Sequence, residues 1–179
     1  RSTPTPVDLG TNMTASSVSA GGNTTCAVLN DGTLKCWGAR IGDGSNTSSG
    51  TPVTVDLGTS VTATNVSVGA GHTCARLNYG YVKCWGTNSY GQLGTHSTSS
   101  YLLPVAGALG AVTSISAATS YTCSISNTGM LKCVGRNGYG QLGDGTTTNQ
   151  IFPVMVDLGA DMTASSVATG GSTTCAVLN

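Results

Sequence analysis

The sequence predicts an all-β fold: β-propeller blades of about four antiparallel strands, in roughly three and a half repeats along the 179-residue chain. Three observations carry this expectation. First cysteines fall at positions 26, 74, 123 and 175, so they recur every 48, 49 and 52 residues. A hairpin signature surrounds each of the first three. Between hairpins lie short runs of Val, Thr, Ser and Ala bounded by Gly and Pro, the pattern of strands rather than helices. The array is expected to occupy residues 1–179, with units at about 4–49, 50–101, 102–150 and an incomplete 151–179.

In chain order, each unit opens on an extended Pro-Val segment: Pro6-Val7, Pro52-Val53, Pro104-Val105 and Pro153-Val154. A turn follows at Asp8-Leu9-Gly10, Asp56-Leu57-Gly58, Ala108-Leu109-Gly110 and Asp157-Leu158-Gly159, and then a strand-forming run such as residues 61–68. Gly-rich corners (Gly21-Gly22, Gly69-Ala70-Gly71, Gly170-Gly171) lead into the hairpin. The hairpin ends in Trp37-Gly38, Trp85-Gly86 or Val134-Gly135. After it come residues 88–94 and 137–143, each reading Asn-x-Tyr-Gly-Gln-Leu-Gly, where the first unit has only Ala39-Arg40-Ile41-Gly42.

The hairpins turn at Asn30-Asp31-Gly32, Asn78-Tyr79-Gly80 and Asn127-Thr128-Gly129. A three-residue loop of a type I turn plus one left-handed residue needs glycine third, so Gly32, Gly80 and Gly129 are expected at positive φ. Centring the register on the middle residue sets Cys26 opposite Cys36, Cys74 opposite Cys84 and Cys123 opposite Cys133. Opposed cysteines at a non-hydrogen-bonded site are within disulfide reach. Closing so short a loop contributes up to about 3 kcal/mol on the chain-entropy model. Cys175 lacks such a partner in the sequence and is expected to be unpaired or intermolecular.

Paired cysteines point to an oxidising compartment, extracellular or cell-surface, with the periplasm as the bacterial equivalent. Net charge is zero and all seven acidic residues are Asp, which gives no electrostatic basis for nucleic acid as a partner. No apolar run approaches the roughly 20 residues of a spanning helix, so no membrane insertion is expected. The chain starts without Met or an apolar leader and is expected to be mature, processed or partial. Sequons begin at Asn12, Asn23, Asn46 and Asn65, a number that a chain this rich in Asn, Ser and Thr generates by composition.

The order S-x-G-x-x-x-T-C-A-x-L-x-x-G-x-x-K-C-W-G, then N-x-Y-G-Q-L-G, then P-V, resembles the regulator of chromosome condensation repeat across essentially the whole chain. The resemblance implies propeller blades, typically seven to a ring, and the hairpin cysteines are similar to a secreted bacterial branch of that family. Its nuclear founder is an exchange factor for a small GTPase and contacts chromatin. Neither role is expected here, because no long charged insertion interrupts the repeats and the cysteines indicate another compartment.

Catalysis needs unlike groups converging, and the chain offers only His72, His96 and the Asp residues. His72 stands where other units have Thr24, Tyr121 and Thr173 and reads as blade-surface variation; His96 has no evident partner. Asp43-Gly44 and Asp144-Gly145 read as turns rather than calcium ligands, and Trp37 and Trp85 as core or inter-blade packing. No catalytic residue, metal or cofactor is expected. The resulting expectation is an extracellular non-catalytic recognition or structural module whose partner is a protein or further copies of itself. The alternatives are a building block of an extracellular filament or surface assembly, and the non-catalytic part of a larger secreted enzyme. Residues 156–179 match residues 7–30 at 19 of 24 positions, against 15 for residues 55–78, which points to a higher-order repeat of three blades. On either a longer-chain or an associating-copies reading, the half-hairpin at Cys175 needs a neighbouring strand.

Overall fold

The computed structural model describes residues 3–179, and its described residues form strands and no helix. The first blade contains β1 (Ala15–Gly21), β2 (Thr24–Leu29), β3 (Leu34–Gly38) and β4 (Ser49–Thr54). The second contains β5 (Ala63–Val68), β6 (His72–Leu77), β7 (Val82–Gly86) and β8 (Tyr101–Ala106). β9 (Val112–Ala117), β10 (Tyr121–Ser126), β11 (Leu131–Gly135) and β12 (Gln150–Met155) make the third, and β13 (Ala164–Gly170) pairs with β14 (Thr173–Leu178) as a two-stranded sheet. All pairings are antiparallel between consecutive strands.

The sheets are out of phase with the repeat as it reads in sequence. Val53 pairs with Cys36, Val105 with Cys84 and Val154 with Cys133, so the Pro-Val segment is the fourth strand of the preceding blade. Proline has no N–H to give a ladder and is tolerated at a sheet edge, which is where Pro52, Pro104 and Pro153 stand.

Apolar contacts concentrate between blades. One buried cluster joins Val28, Leu34 and Ile41 of the first blade to Val66, Leu77 and Trp85 of the second. Another joins Val82 and Leu93 to Ile115 and Val134, and a third carries Leu131 and Leu142 into contact with Val167 and Ala176. β2, β6 and β10 therefore lose the alternation of a half-buried strand and are buried over most of their length, each between two strands of its own sheet and against the inner strand of the next blade.

Two backbone devices repeat at each junction. The Ser19 hydroxyl accepts the Val68 N–H at 3.0 Å, Ser67 accepts Ala117 N–H at 2.8 Å, and Ser116 accepts Thr169 N–H at 3.0 Å. At the opposite ends of these innermost strands the hairpin tips accept: Ala63 N–H to the Gly32 carbonyl, Val112 to Gly80 and Ala164 to Gly129, each at 2.9 Å. Buried backbone groups need such partners, and these fix one blade's height against the next.

Candidate functional site

The hairpins close as tight loops. Leu29 N–H donates to the Thr33 carbonyl at 2.8 Å and Gly32 N–H to the Leu29 carbonyl at 2.9 Å, with Gly32, Gly80 and Gly129 at φ +82°, +87° and +80°. Each cysteine pair faces across the hairpin with Cα atoms 4.1 Å apart, and the structure joins Cys26 to Cys36, Cys74 to Cys84 and Cys123 to Cys133. All six sulfurs are buried, whereas Cys175 is a free, exposed thiol on β14.

His72 is 2% exposed, which corrects its expected place on the blade surface. Thr122 gives its one hydroxyl proton to the Gln92 carbonyl at 2.8 Å, so the contact between His72 Nε2 and Thr122 Oγ1 at 2.8 Å has Nε2–H as donor. Nδ1 is then a bare acceptor, and it has no hydrogen-bond partner. Burial pushes the pKa of His72 down to about 4, so the ring is neutral at ordinary pH. Tyr121, at the equivalent place in the third blade, donates its hydroxyl to the Thr173 carbonyl at 2.6 Å, and burial raises its pKa. This position reaches forward to the next blade.

The loops after the hairpins are organised on two fully buried asparagines that composition did not single out. Asn88 accepts Leu93 N–H at 2.9 Å and donates to the Ser97 and Ser99 carbonyls, both at 2.9 Å; Asn137 accepts Leu142 N–H at 2.9 Å and donates to Asp144 and Thr146. Asp144 is thereby a hydrogen-bond partner within its loop, and Asp43 caps Ser45 N–H at 2.9 Å in the shorter loop of the first blade. Trp85 is buried between blades, its indole N–H on the Arg40 carbonyl at 3.1 Å, while Trp37 is only half-buried, beside Pro6 and Lys35.

Four sequon asparagines are exposed in different settings. Asn12, Asn23 and Asn46 lie outside the strands; Asn65 lies in β5, and the hydroxyl of its Ser67 is engaged by Ala117. His96 is exposed and stacks on Phe152 with ring centroids 4.4 Å apart. The Arg136 guanidinium lies over Tyr90 at 5.5 Å and Tyr139 at 5.8 Å. Among the described residues, no three His, Cys, Asp or Glu gather as a metal site, and no helix is long and apolar enough to cross a membrane. The arrangement is that of a rigid scaffold with exposed aromatic and aliphatic side chains, including Tyr79, Tyr81, Leu103 and Phe152.

Solved structures share this architecture. Human WBSCR16 superposes with a TM-score of 0.80 at 22% identity, over 96% of this chain and 46% of that one. Prp20p from Saccharomyces cerevisiae gives 0.75 at 21% identity over 88% and 40%, and yeast RCC1 (Prp20) bound to Kap60 gives 0.76 at 17% identity over 86% and 40%. At these identities the likeness establishes the fold, and the chain spans less than half the length of each. No curated protein matches the sequence. Two sequence models of the Regulator of chromosome condensation (RCC1) repeat do match, one at residues 15–40 and 63–92, the other at 79–125 and 129–177. The second by itself covers more than half of the chain, and with the blades and their hairpins in place the chain belongs to the regulator of chromosome condensation repeat family.

Proposed function

We propose that this chain is an extracellular or cell-surface, non-catalytic module that recognises a protein partner or serves as a structural repeat. The observation carrying the proposal is the set of three hairpin disulfides, chemistry that persists where thiols are oxidised. The polar groups most suited to chemistry, His72, Tyr121 and the two buried asparagines, are engaged in holding blades and loops. The exposed aromatic and aliphatic side chains remain available for contact. A protein partner also accords with the family, since Prp20 is crystallised with Kap60 and has binding properties toward Gsp1p and histones. We carry over the protein-binding role alone; with zero net charge the chain offers no field for histones or nucleic acid. Of the four sequons, those of Asn12, Asn23 and Asn46 are the favoured acceptors for glycosylation, because Asn65 is held in a strand.

The test is to recover the protein from its native source without reductant, block free thiols, and map the linked peptides, together with protease accessibility on intact cells. Three intra-hairpin links and surface cleavage are expected. Reduced cysteines at all three hairpins, or complete protection on intact cells, would overturn the extracellular assignment.

A further inference from the structure

The loops that follow β3 and β7 are built on one plan and differ by four residues. Ala39 and Thr87, like Arg136 in the third blade, donate their N–H to the carbonyl of the residue before the hairpin: Asn23, Gly71 and Ser120. Buried Ile41 and Leu93, each followed by a glycine at positive φ, bring the two loops back into step, so Asn88-Ser89-Tyr90-Gly91 has no counterpart in the first blade. At the second junction this tetrapeptide fills the space against the third blade. Gly91 lies so close to Ile151 that a Cβ would stand 2.7 Å from the Ile151 Cα, and the Tyr90 ring lies under the Arg136 guanidinium. Gly86 pairs with Tyr101 as Gly135 pairs with Gln150, which puts Leu102 in the place of Ile151 and Thr87 in that of Arg136. At the first junction the corresponding space is a cavity of about 330 Å³ whose lining includes Arg40, Asn46, Thr87, Ser100 and an exposed Leu102.

We propose that this groove between the first two blades is a docking site for a loop of a protein partner in which an acidic residue is followed by an aromatic residue and a glycine. The proposal rests on the protein-recognition reading above and gives it a place. The shape of the occupant is read from the second junction, where Tyr90-Gly91 of the chain itself fills the same space. Its charge is read from Arg40. Among the described residues, the Arg40 guanidinium, the Asn46 amide and the Thr87 hydroxyl have no hydrogen-bond or ion-pair partner. Asp43, the carboxylate of the same loop, is turned to the N–H and hydroxyl of Ser45 at 2.9 and 3.1 Å. A guanidinium without an acid favours a carboxylate from the occupant, which can accept two parallel N–H bonds. The charge is particular to this junction. Gln92 holds the place of Arg40 in the second blade, and its side-chain oxygen accepts the Tyr90 N–H at 3.0 Å. Glutamine thus closes its own loop, whereas arginine presents donors to an incoming one. Leu102 supplies the apolar wall, held by the Gly44 N–H on its carbonyl at 3.2 Å.

The probe is acetyl-Asn-Asp-Tyr-Gly-amide, the second-blade tetrapeptide with an acid in place of Ser89, titrated by NMR into the intact chain carrying no glycan on Asn46, whose sequon borders the groove. Saturable shifts are expected at Arg40, Asn46, Thr87 and Leu102, and none at Arg136 or Ile151, where the chain's own loop fills the space. Asparagine in place of the peptide's Asp is expected to weaken binding about fivefold, and alanine in place of its tyrosine to abolish it. Arg40→Ala should bring the acidic and neutral peptides to equal affinity. Inserting Asn-Ser-Tyr-Gly between Ala39 and Arg40 rebuilds the second-blade loop and should remove the shifts while the melting transition is kept. No saturable shifts, equal shifts at both junctions, or a charge preference that survives Arg40→Ala would overturn the site. So would saturation by a uronic-acid disaccharide that the peptide fails to displace, since a glycan would then be the occupant. Failure of the titration leaves the extracellular assignment standing, because the disulfide map decides that separately.

Discussion

The first and second inter-blade junctions share a backbone arrangement and differ in what fills it. In both, a serine on the inner strand accepts an N–H from the next blade, Ser19 from Val68 and Ser67 from Ala117. The first junction is then closed by Trp85 packed against Gly42 and the Ile41 loop, with Val28 and Val66 in the same cluster. At the second, Val134 replaces the tryptophan, Arg76 replaces Val28, and His72 stands where the first blade has Thr24. The His72 ring bonds Thr122, the cross-strand neighbour of Val134, and Arg76 Nε donates to the Val112 carbonyl at 2.6 Å. A repeat can thus keep its hydrogen-bond frame and exchange an apolar filler for a polar one, at the cost of burying an imidazole with one bare nitrogen.

The sharpest way to break the comparison is Trp85→Ala, which empties the first junction and orphans the Arg40 carbonyl. A loss of about 3–5 kcal/mol is expected in urea unfolding, with a much smaller loss for Val134→Ala. The next effect belongs to the second junction alone. His72 has a folded-state pKa of about 4 against an ordinary 6.5, so the unfolded chain binds the proton first as pH falls. Stability present above pH 6.5 is lost as pH drops toward 4, by up to about 3 kcal/mol, and His72→Tyr should flatten that slope. Asp31 and Asp43 are held below the usual carboxylate range by the Thr33 and Ser45 N–H groups and titrate in a lower window. A pH profile unchanged by His72→Tyr would remove the histidine from this account.

Ser19→Ala and Ser67→Ala test what the junctions share. Each leaves one backbone N–H without its acceptor, so similar losses of about 1–2 kcal/mol are expected by chemical denaturation; unequal losses would show that the filler sets the worth of the clasp. These serines also mark the limit of legibility in the sequence. The period, the turn glycines and the facing cysteines are local patterns, and the strand residues around them could be placed from spacing. A partner some fifty residues away, such as Ala117 for Ser67 or Thr122 for His72, depends on which side of the blade a side chain leaves, and a Ser in a Ser/Thr-rich run carries no mark of it. The Pro-Val strand was visible but out of phase, because a repeat reads the same whichever blade takes the strand. Asn88 and Asn137 repeat at one place in the Asn-x-Tyr-Gly-Gln-Leu-Gly motif, so their buried role had a signal; loop asparagines are usually read as turn formers.

The smallest expected difference lies at the hairpin tips, where the junctions diverge by one methyl-sized contact. Gly32 and Gly80 both adopt the left-handed region, and alanine at either pays the conformational cost of about 1 kcal/mol. Their neighbours in the next blade are unlike. A Cβ on Gly32 would lie 2.6 Å from Thr62 Cβ, whereas on Gly80 it would meet only Ala111 Cβ at an ordinary 3.8 Å. The same tip accepts Ala63 N–H through the Gly32 carbonyl, so the crowded chain has little room to retreat without losing that bond. Gly32→Ala should therefore lower the melting temperature more than Gly80→Ala, by the equivalent of about 1 kcal/mol or more. Gly129 faces Thr163 at 2.6 Å and should behave like Gly32. Pairing Gly32→Ala with Thr62→Gly removes the Cβ that stands 2.6 Å away and, referenced to Thr62→Gly alone, should bring the excess cost of the first tip down to that of the second. If the double variant keeps the full penalty, the penalty is conformational, and the two junctions are equivalent at their tips after all.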